Sequence, residues 1–147
     1  DQAGGPGRIE AAAAALRRRP ALVPGALLRC APHLAPLAVP AGSLAWYEAT
    51  RAWLGRQPLL TLAAAAPRPD VPRSRDRGEH LLLEHHADDT LALGTASEAL
   101  VRLLRFAERP RTDRALAAEA VVRGAAPADT ADLIAGLLAE GLLVRSA

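Results

Sequence analysis

Residues 81–104 read LLLEHHADDTLALGTASEALVRLL, and within this stretch the apolar residues change from alternating to helical spacing. Residues 79–84 and 90–93 are predicted to be two strands, because the polar HADD sequence between them is typical of a turn. Gly94 is then expected to turn the chain into a helix over residues 96–106, with a Thr or Ser as its cap. The stretch therefore predicts a β-hairpin followed by a helix.

The sequence downstream continues with helical signals. Thr112 starts a helix that is predicted to run through residue 122 and to end at Gly124. A third helix opens near Pro127, and a short strand follows it at residues 142–144. The core stripe of the third helix is expected to consist of Leu133, Ile134, Leu137 and Leu138. Two strands, three helices and a final strand is the order of a small winged helix-turn-helix domain, so the predicted fold class is α+β and mainly helical.

Composition divides the chain into three parts. Residues 67–78, PRPDVPRSRDRG, hold three prolines and alternating charges with nothing to bury, so they are predicted to be a linker. Residues 79–147 are then the winged-helix domain. Residues 1–66 are an Ala/Pro-rich, Pro-interrupted helical extension that precedes it.

The N-terminal extension is expected to contain helices at residues 9–19 and 43–55. Four prolines interrupt residues 21–42, and prolines at that frequency argue against a long helix or a central strand. That segment is therefore predicted to be an apolar linker with one short turn. Trp46 and Trp53 are seven positions apart on one helix face and are expected to be core anchors rather than a ligand site.

The bulk composition favours a reducing, cytoplasmic location. The chain has one cysteine, Cys30, which excludes an internal disulfide. No apolar run approaches the roughly 18 residues that span a bilayer, and no signal-peptide order is present, so no membrane partner is expected. Residues 1–78 carry 11 Arg against 5 acidic residues, whereas residues 79–147 carry 7 Arg against 11. The two halves therefore attract one another, or the basic half faces an acidic partner.

Two groups of residues could carry chemistry. His80, His85 and His86 lie near two aspartates and are residue types that bind divalent metals. Adjacent strand residues point to opposite faces, however, so a solvated hairpin tip is favoured over a metal site. Cys30 and His33 could be a nucleophile and a base, but no third group orients them, and a buried thiol is favoured. Known catalytic and cofactor motifs are absent, so neither an enzyme nor a cofactor is predicted.

Electrostatics argue against DNA as the partner of the last helix. Residues 124–144 contain no basic residue, and Asp129, Asp132 and Glu140 would face the phosphates. An exposed strand edge can instead accept an extended peptide. The small residues Ala128, Ala131, Ala135 and Ala139 would leave a shallow groove beside such a strand. Alternatively, these alanines pack against another part of the chain, such as residues 8–66.

Residues 80–121 together with 129–146 resemble the PqqD-like domain, also called the RiPP recognition element. The family pattern has an aliphatic strand, then "Ln-x-sa", a "gxrT" turn and a terminal "L-x-x-L-x-x-x-G-L-v". The counterparts in this sequence are residues 81–83, residues 93–96, Arg111 with Thr112, Ile134 (in place of the first Leu) with Leu137, and residues 141–144. The resemblance covers about half of the chain. Gly94 stands where the family often has Asn, and residues 1–66 have no counterpart in the minimal domain.

The resemblance implies a non-catalytic module that binds the leader of a ribosomally synthesised precursor peptide and delivers it to a modifying enzyme. The leader would add to the strand at residues 90–93 and lie against the helix at residues 129–140. The implied peptide-binding residues are Thr90, Leu91, Ala92, Leu93, Ala128, Asp132, Ala135 and Ala139.

Two alternatives remain from the sequence. The chain could be a structural or dimerisation subunit, or an accessory winged-helix domain of a larger peptide-modifying or oxygenase enzyme. It could also be a DNA-binding winged-helix regulator, because winged helices often bind DNA.

Overall fold

The computed structural model describes residues 23–56, 68–73 and 78–146. Within these residues the fold is α+β, with four α-helices and two small three-stranded antiparallel sheets, which confirms the predicted class at that level. The chain divides into two compact units. Unit 1 takes residues 1–34 and 102–147, and unit 2 takes residues 35–101.

The elements follow one another along the chain, and the units divide after Leu34, in the second strand, and after Val101, in the second helix. In order they are β1 (Leu27–Cys30), β2 (Leu34–Pro40), α1 (Ser43–Arg56), β3 (Gly78–His85), β4 (Leu91–Thr95), α2 (Glu98–Phe106), β5 (Arg111–Thr112), α3 (Asp113–Val122), a 3-10 turn (Pro127–Asp129), α4 (Thr130–Ala139) and β6 (Leu143–Arg145).

Unit 1 is built around β1, which is the central strand of the sheet β5-β1-β6. Leu28 lies opposite Arg111 on one side and Arg145 on the other, and both pairings are antiparallel. The Leu28 side chain is only 1% exposed. The core of this unit consists of Leu28, Cys30, Ala31, Leu34, Leu103, Leu104, Ala107, Leu116, Ala120, Ile134, Ala135, Leu137 and Leu143.

The linker predicted for residues 21–42 was wrong, because this segment contains two strands. Pro24 and Pro32 flank β1 instead of interrupting it, so every residue of Leu27–Cys30 keeps its backbone donor. The other strand, β2, does contain Pro36, but it lies at an edge of the sheet β2-β3-β4. An edge strand tolerates proline because a missing N–H can face away from the sheet.

The three helices after residue 96 were predicted correctly from local sequence patterns. The Ser97 hydroxyl accepts a hydrogen bond from the Leu100 backbone N–H at 3.1 Å, and the Thr112 hydroxyl accepts one from Ala115 at 3.1 Å. These are N-terminal caps of the kind that Ser and Thr provide. Gly124, at φ +103°, follows α3, as predicted.

Two details of this half were wrong. Gly94 does not turn the chain into the helix but lies inside β4, which continues to Thr95. Leu133 was expected in the core stripe of α4, yet it is 37% exposed, whereas Ile134 and Leu137 are buried.

Helix α1 has no buried residue, so the prediction that Trp46 and Trp53 are core anchors was wrong. Both side chains are partly exposed. The helix begins where the Leu44 N–H donates a 3.0 Å hydrogen bond to the Glu79 carboxylate, an acidic partner that suits a helix N-terminus. The helix predicted at residues 9–19 lies outside the described residues.

Candidate peptide-binding edge

A tight turn joins β3 and β4 into a hairpin with the register Leu81↔Thr95 to His85↔Leu91. The His86 N–H donates to the Thr90 carbonyl at 2.9 Å, and Asp89 adopts φ +62°. Asp88 Oδ1 accepts from the Thr90 N–H at 3.1 Å and from its hydroxyl at 2.6 Å, which lowers the pKa of Asp88. Thr90, predicted as a strand residue, therefore belongs to the turn.

The hydrogen bonds at the two ends of the hairpin decide which β4 backbone groups face outward. The His86 N–H bonds the Thr90 carbonyl, and the Ala96 N–H bonds the His80 carbonyl, each at 2.9 Å. In an antiparallel ladder, hydrogen-bonded and non-hydrogen-bonded pairs alternate. Ala92 and Gly94 therefore direct their N–H and C=O groups toward β3. The remaining residues direct theirs away from the sheet; these are Leu91, Leu93 and Thr95.

The outward side of β4, called here the β4 edge, has no strand partner in the part of the chain that the structure describes. Its sequence, LALGT, contains no charge and no proline. Soluble proteins usually protect an exposed edge with one of these features. The opposite edge of the same sheet, β2, carries Pro36 and Pro40. Among the described strands, the sheet therefore has one edge with proline protection and one edge without a paired strand.

The two faces of the hairpin differ in character because successive side chains alternate. Leu91 and Leu93 share a face with Leu83 and the buried Leu81, and Leu91 is 52% exposed. We call this the leucine face. The other face carries small residues on β4, Ala92 and Gly94, and a Cβ added at Gly94 would meet nothing within 4 Å. We call it the open face.

Helix α1 contacts β4. The Glu79 carboxylate accepts a hydrogen bond from the first turn of α1. Glu79 lies two residues before Leu81 on β3, so both side chains point to the same face of the hairpin. The helix therefore begins on the leucine face. Trp46 donates its ring N–H to the Pro69 carbonyl at 3.2 Å but stays partly exposed, and Leu54 is 52% exposed. Partly exposed apolar side chains of a helix that contacts β4 therefore lie in the same unit as Leu91 and Leu93.

The remaining predicted site residues lie in unit 1. Ala128 is in the 3-10 turn, and Asp132 and Ala139 are on α4; all three are exposed. Ala135 is buried at 9% exposure and packs inside its own unit. Leu91, Ala92 and Leu93 lie together in unit 2. The predicted site lacked Thr95 because Gly94 was expected to follow the strand. The helix at residues 43–55 was predicted, but nothing in the sequence connected it with this strand.

The groups considered for chemistry are held by other interactions. His85 Nε2 lies 3.2 Å from Asp89, and His86 Nδ1 lies 3.8 Å from Glu84. Among the described residues, no three His, Cys, Asp or Glu side chains group in a way that could hold a metal ion. The Cys30 thiol is buried, and burial, assisted by the charge of Glu108, raises its pKa to about 11. At neutral pH this cysteine is a thiol and not a reactive thiolate.

Comparison with known proteins gives no match to a family model, to a curated protein or to a solved structure. No helix in the described ranges has the length and apolar character needed to cross a membrane. The described residues define an α+β protein in which the β4 edge has no paired strand.

Proposed function

We propose that this chain is a peptide-binding module that takes up an extended peptide as an added strand along the β4 edge. The peptide is the leader of a ribosomally synthesised precursor, which the module delivers to a modifying enzyme. One observation carries the proposal: Leu91, Leu93 and Thr95 present outward backbone groups on an edge without charge or proline.

The edge is long enough for useful affinity. Three outward residues, each with one donor and one acceptor, allow about six backbone hydrogen bonds to an added strand. At about 1 kcal/mol net for each bond, these contribute about 6 kcal/mol. Micromolar binding corresponds to about 8 kcal/mol. Apolar contacts with Leu91, Leu93 and α1 must supply the remaining binding free energy, and they must also offset the entropy lost when the peptide is ordered.

The order of elements supports the leader peptide as the occupant. Residues 78–145 run as hairpin, helix, short strand, two helices and final strand. This order agrees with the resemblance to the PqqD-like domain, in which a hairpin precedes three helices. In unit 1, β1 supplies a third strand between β5 and β6, an arrangement compatible with a winged helix. The exposed acids Asp129 and Asp132 at the start of α4 favour a peptide over DNA.

The test is a titration of the full chain with a fluorescent peptide taken from the leader of a short precursor encoded beside its gene. Leu93→Asp places an unpaired charge on the edge and should weaken binding at least tenfold, since burying such a charge is costly. Val122→Asp introduces the same charge at a site in unit 1 that is 72% exposed, and it should bind like the parent protein. Equal affinity of the parent and Leu93→Asp proteins would refute strand addition.

A second function, as a subunit of a larger enzyme assembly, is favoured by exposed valines at the end of α3. Val121 is 40% exposed and Val122 is 72% exposed. Exposed apolar side chains that belong to a contiguous patch can mark a surface that binds a partner. Sedimentation velocity over a wide concentration range measures the mass in solution and tests whether the chain dimerises. A mass that stays monomeric, and is the same for Val122→Asp, would exclude self-association through these valines.

A further inference from the structure

We infer that the peptide bound at the β4 edge carries one aromatic side chain opposite Gly94, and that its ring covers Leu82 on the neighbouring strand. This inference rests on the proposed function, because it names the chemistry of the peptide that the same edge takes up. Gly94 and Leu82 lie directly opposite one another in the hairpin, so the Leu82 side chain is on the open face.

Gly94 leaves the apolar surface of Leu82 without its usual cover. Directly opposite side chains on neighbouring strands pack against each other, and Gly94 has no side chain to do so. Among the described residues, nothing lies within 4 Å of the position that a Gly94 Cβ would take, and Leu82 remains partly exposed. A glycine inside a strand often marks a place where another backbone approaches closely. An empty space and an apolar surface therefore lie side by side on the open face.

The hydrogen bonds of the β4 edge direct a peptide residue into this space. Leu93 and Thr95 have their N–H and C=O groups directed outward, so an antiparallel peptide forms its hydrogen-bonded pairs with them. Gly94 then faces a peptide residue in a non-hydrogen-bonded pair, in which opposing Cα atoms lie about 4.5 Å apart. That residue has its side chain on the open face, beside the bare Gly94 Cα.

An aromatic side chain is long enough to reach Leu82 from the added strand. The added strand lies about 10 Å from β3, which is two strand spacings. Aromatic side chains reach neighbours about 7–8 Å away on a sheet, and the Leu82 side chain extends over part of the remaining distance. A ring that packs over a glycine at a sheet edge restores the contact that the glycine lacks.

The neighbours of Leu82 limit the peptide to one such ring. On β3, the residues two positions away on the same face are His80 and Glu84. Glu84 lies opposite Ala92, so a second ring placed there would remove a carboxylate from water, which is costly. The position opposite Gly94 is therefore the one that suits an aromatic residue.

A second copy of this chain cannot supply the ring. In an antiparallel pair of β4 strands, the outward residues of one copy face those of the other, and the open faces coincide. Gly94 would then lie opposite a residue of the same parity, and the residues of that parity are small: Thr90, Ala92, Gly94 and Ala96. A separate peptide with an aromatic residue is thus the occupant that fits the space.

The experiment titrates the full chain with fluorescent peptides of the sequence Val-Ser-Val-X-Val-Ser-Val, in which X is Phe, Leu or Ala. The valines lie on the leucine face, and X lies opposite Gly94. We expect affinity to decrease in the order Phe, Leu, Ala, with the Phe peptide about fivefold tighter than the Ala peptide, as for a cross-strand aromatic pair.

Two variants test where the ring lies. Gly94→Val fills the space and should remove the preference for Phe over Ala, while the outward groups of Leu93 and Thr95 remain in place. Ala92→Val adds a similar side chain to the same face two residues away, and it should keep the preference. Leu82→Ala removes the surface beneath the ring and should also reduce the preference. Far-UV circular dichroism confirms that each variant is folded.

The outcomes separate this inference from the proposed function. Equal affinity for the three peptides, or a Phe preference that persists in Gly94→Val, would overturn the aromatic inference, provided that Leu93→Asp still weakens binding and strand addition therefore stands. Leu binding as tightly as Phe would overturn the aromatic preference in the same way. Absence of binding by all three peptides, binding that survives Leu93→Asp, or affinity that falls as the protein concentration rises, as for an edge occupied by a second copy, would overturn both.

Discussion

Residues 27–30 form the central strand of the sheet in unit 1, and the variant Leu28→Ala tests this position directly. Leu28 is 1% exposed and lies between β5 and β6. Leu27, the preceding residue in the same strand, is 44% exposed, so Leu27→Ala is a matched control for residue type and position. The two variants remove the same atoms from opposite faces of β1.

The expected magnitudes differ because only one side chain leaves a cavity. Leu→Ala at a fully buried site costs about 2–5 kcal/mol, which is the lost transfer energy plus the cavity. At Leu27 the side chain is already partly hydrated, and its loss should cost about 1 kcal/mol or less. If the free energy of unfolding falls by about 1.5 kcal/mol for each M of urea, the urea midpoint of unfolding should fall by about 2 M for Leu28→Ala and by about 0.5 M for Leu27→Ala.

The measurement is a urea titration followed by far-UV circular dichroism, which detects the helices of unit 1. Tryptophan fluorescence alone is unsuitable because Trp46 and Trp53 both lie on α1 in unit 2. If both variants shift the dichroism midpoint by the same small amount, Leu28 is not in a packed core. In that case the central position of β1 would be refuted.

Leu93→Pro should weaken peptide binding by about tenfold or more with little loss of stability, whereas Ala92→Pro should destabilise the hairpin. The two variants differ because the Ala92 N–H faces β3 and the Leu93 N–H faces away from the sheet. Peptide titration and thermal unfolding separate the two effects. Thr112→Ala removes the acceptor for Ala115 and should cost about 1 kcal/mol in a urea titration, with Thr112→Ser as the control that retains the cap. Burial raises the pKa of Cys30 from 9.0 to about 11, so the folded state holds a proton that the unfolded state has released. Stability should therefore fall as pH rises between these values, and Cys30→Ala should lose that dependence.

The helices were predictable from sequence because their signals are local. Ser97 and Thr112 lie within one turn of the groups they cap. Gly124 follows the end of α3 with a positive φ, which depends only on that residue. The position of β1 was not predictable in this way. Its partners come from residues 111–112 and 143–145, and nothing within residues 21–42 indicates those pairings.

The candidate site was predictable only in part. The alternation of LALGT places Leu91 and Leu93 on one face, and this much follows from sequence. Which residues direct their N–H groups outward depends on the phase of the hydrogen-bonded ladder. That phase is set by the bond from His86 to Thr90 in the turn, and it cannot be obtained from hydrophobic spacing.

The central position of β1 has a consequence for synthesis on the ribosome. Residues 27–30 emerge early, but β6 is made only at residues 143–145, and all of unit 2 is translated in between. At about 5–20 residues per second, β1 waits several seconds for its neighbours. We expect unit 2 to fold on the nascent chain while Leu28 remains exposed to chaperones until translation reaches β6.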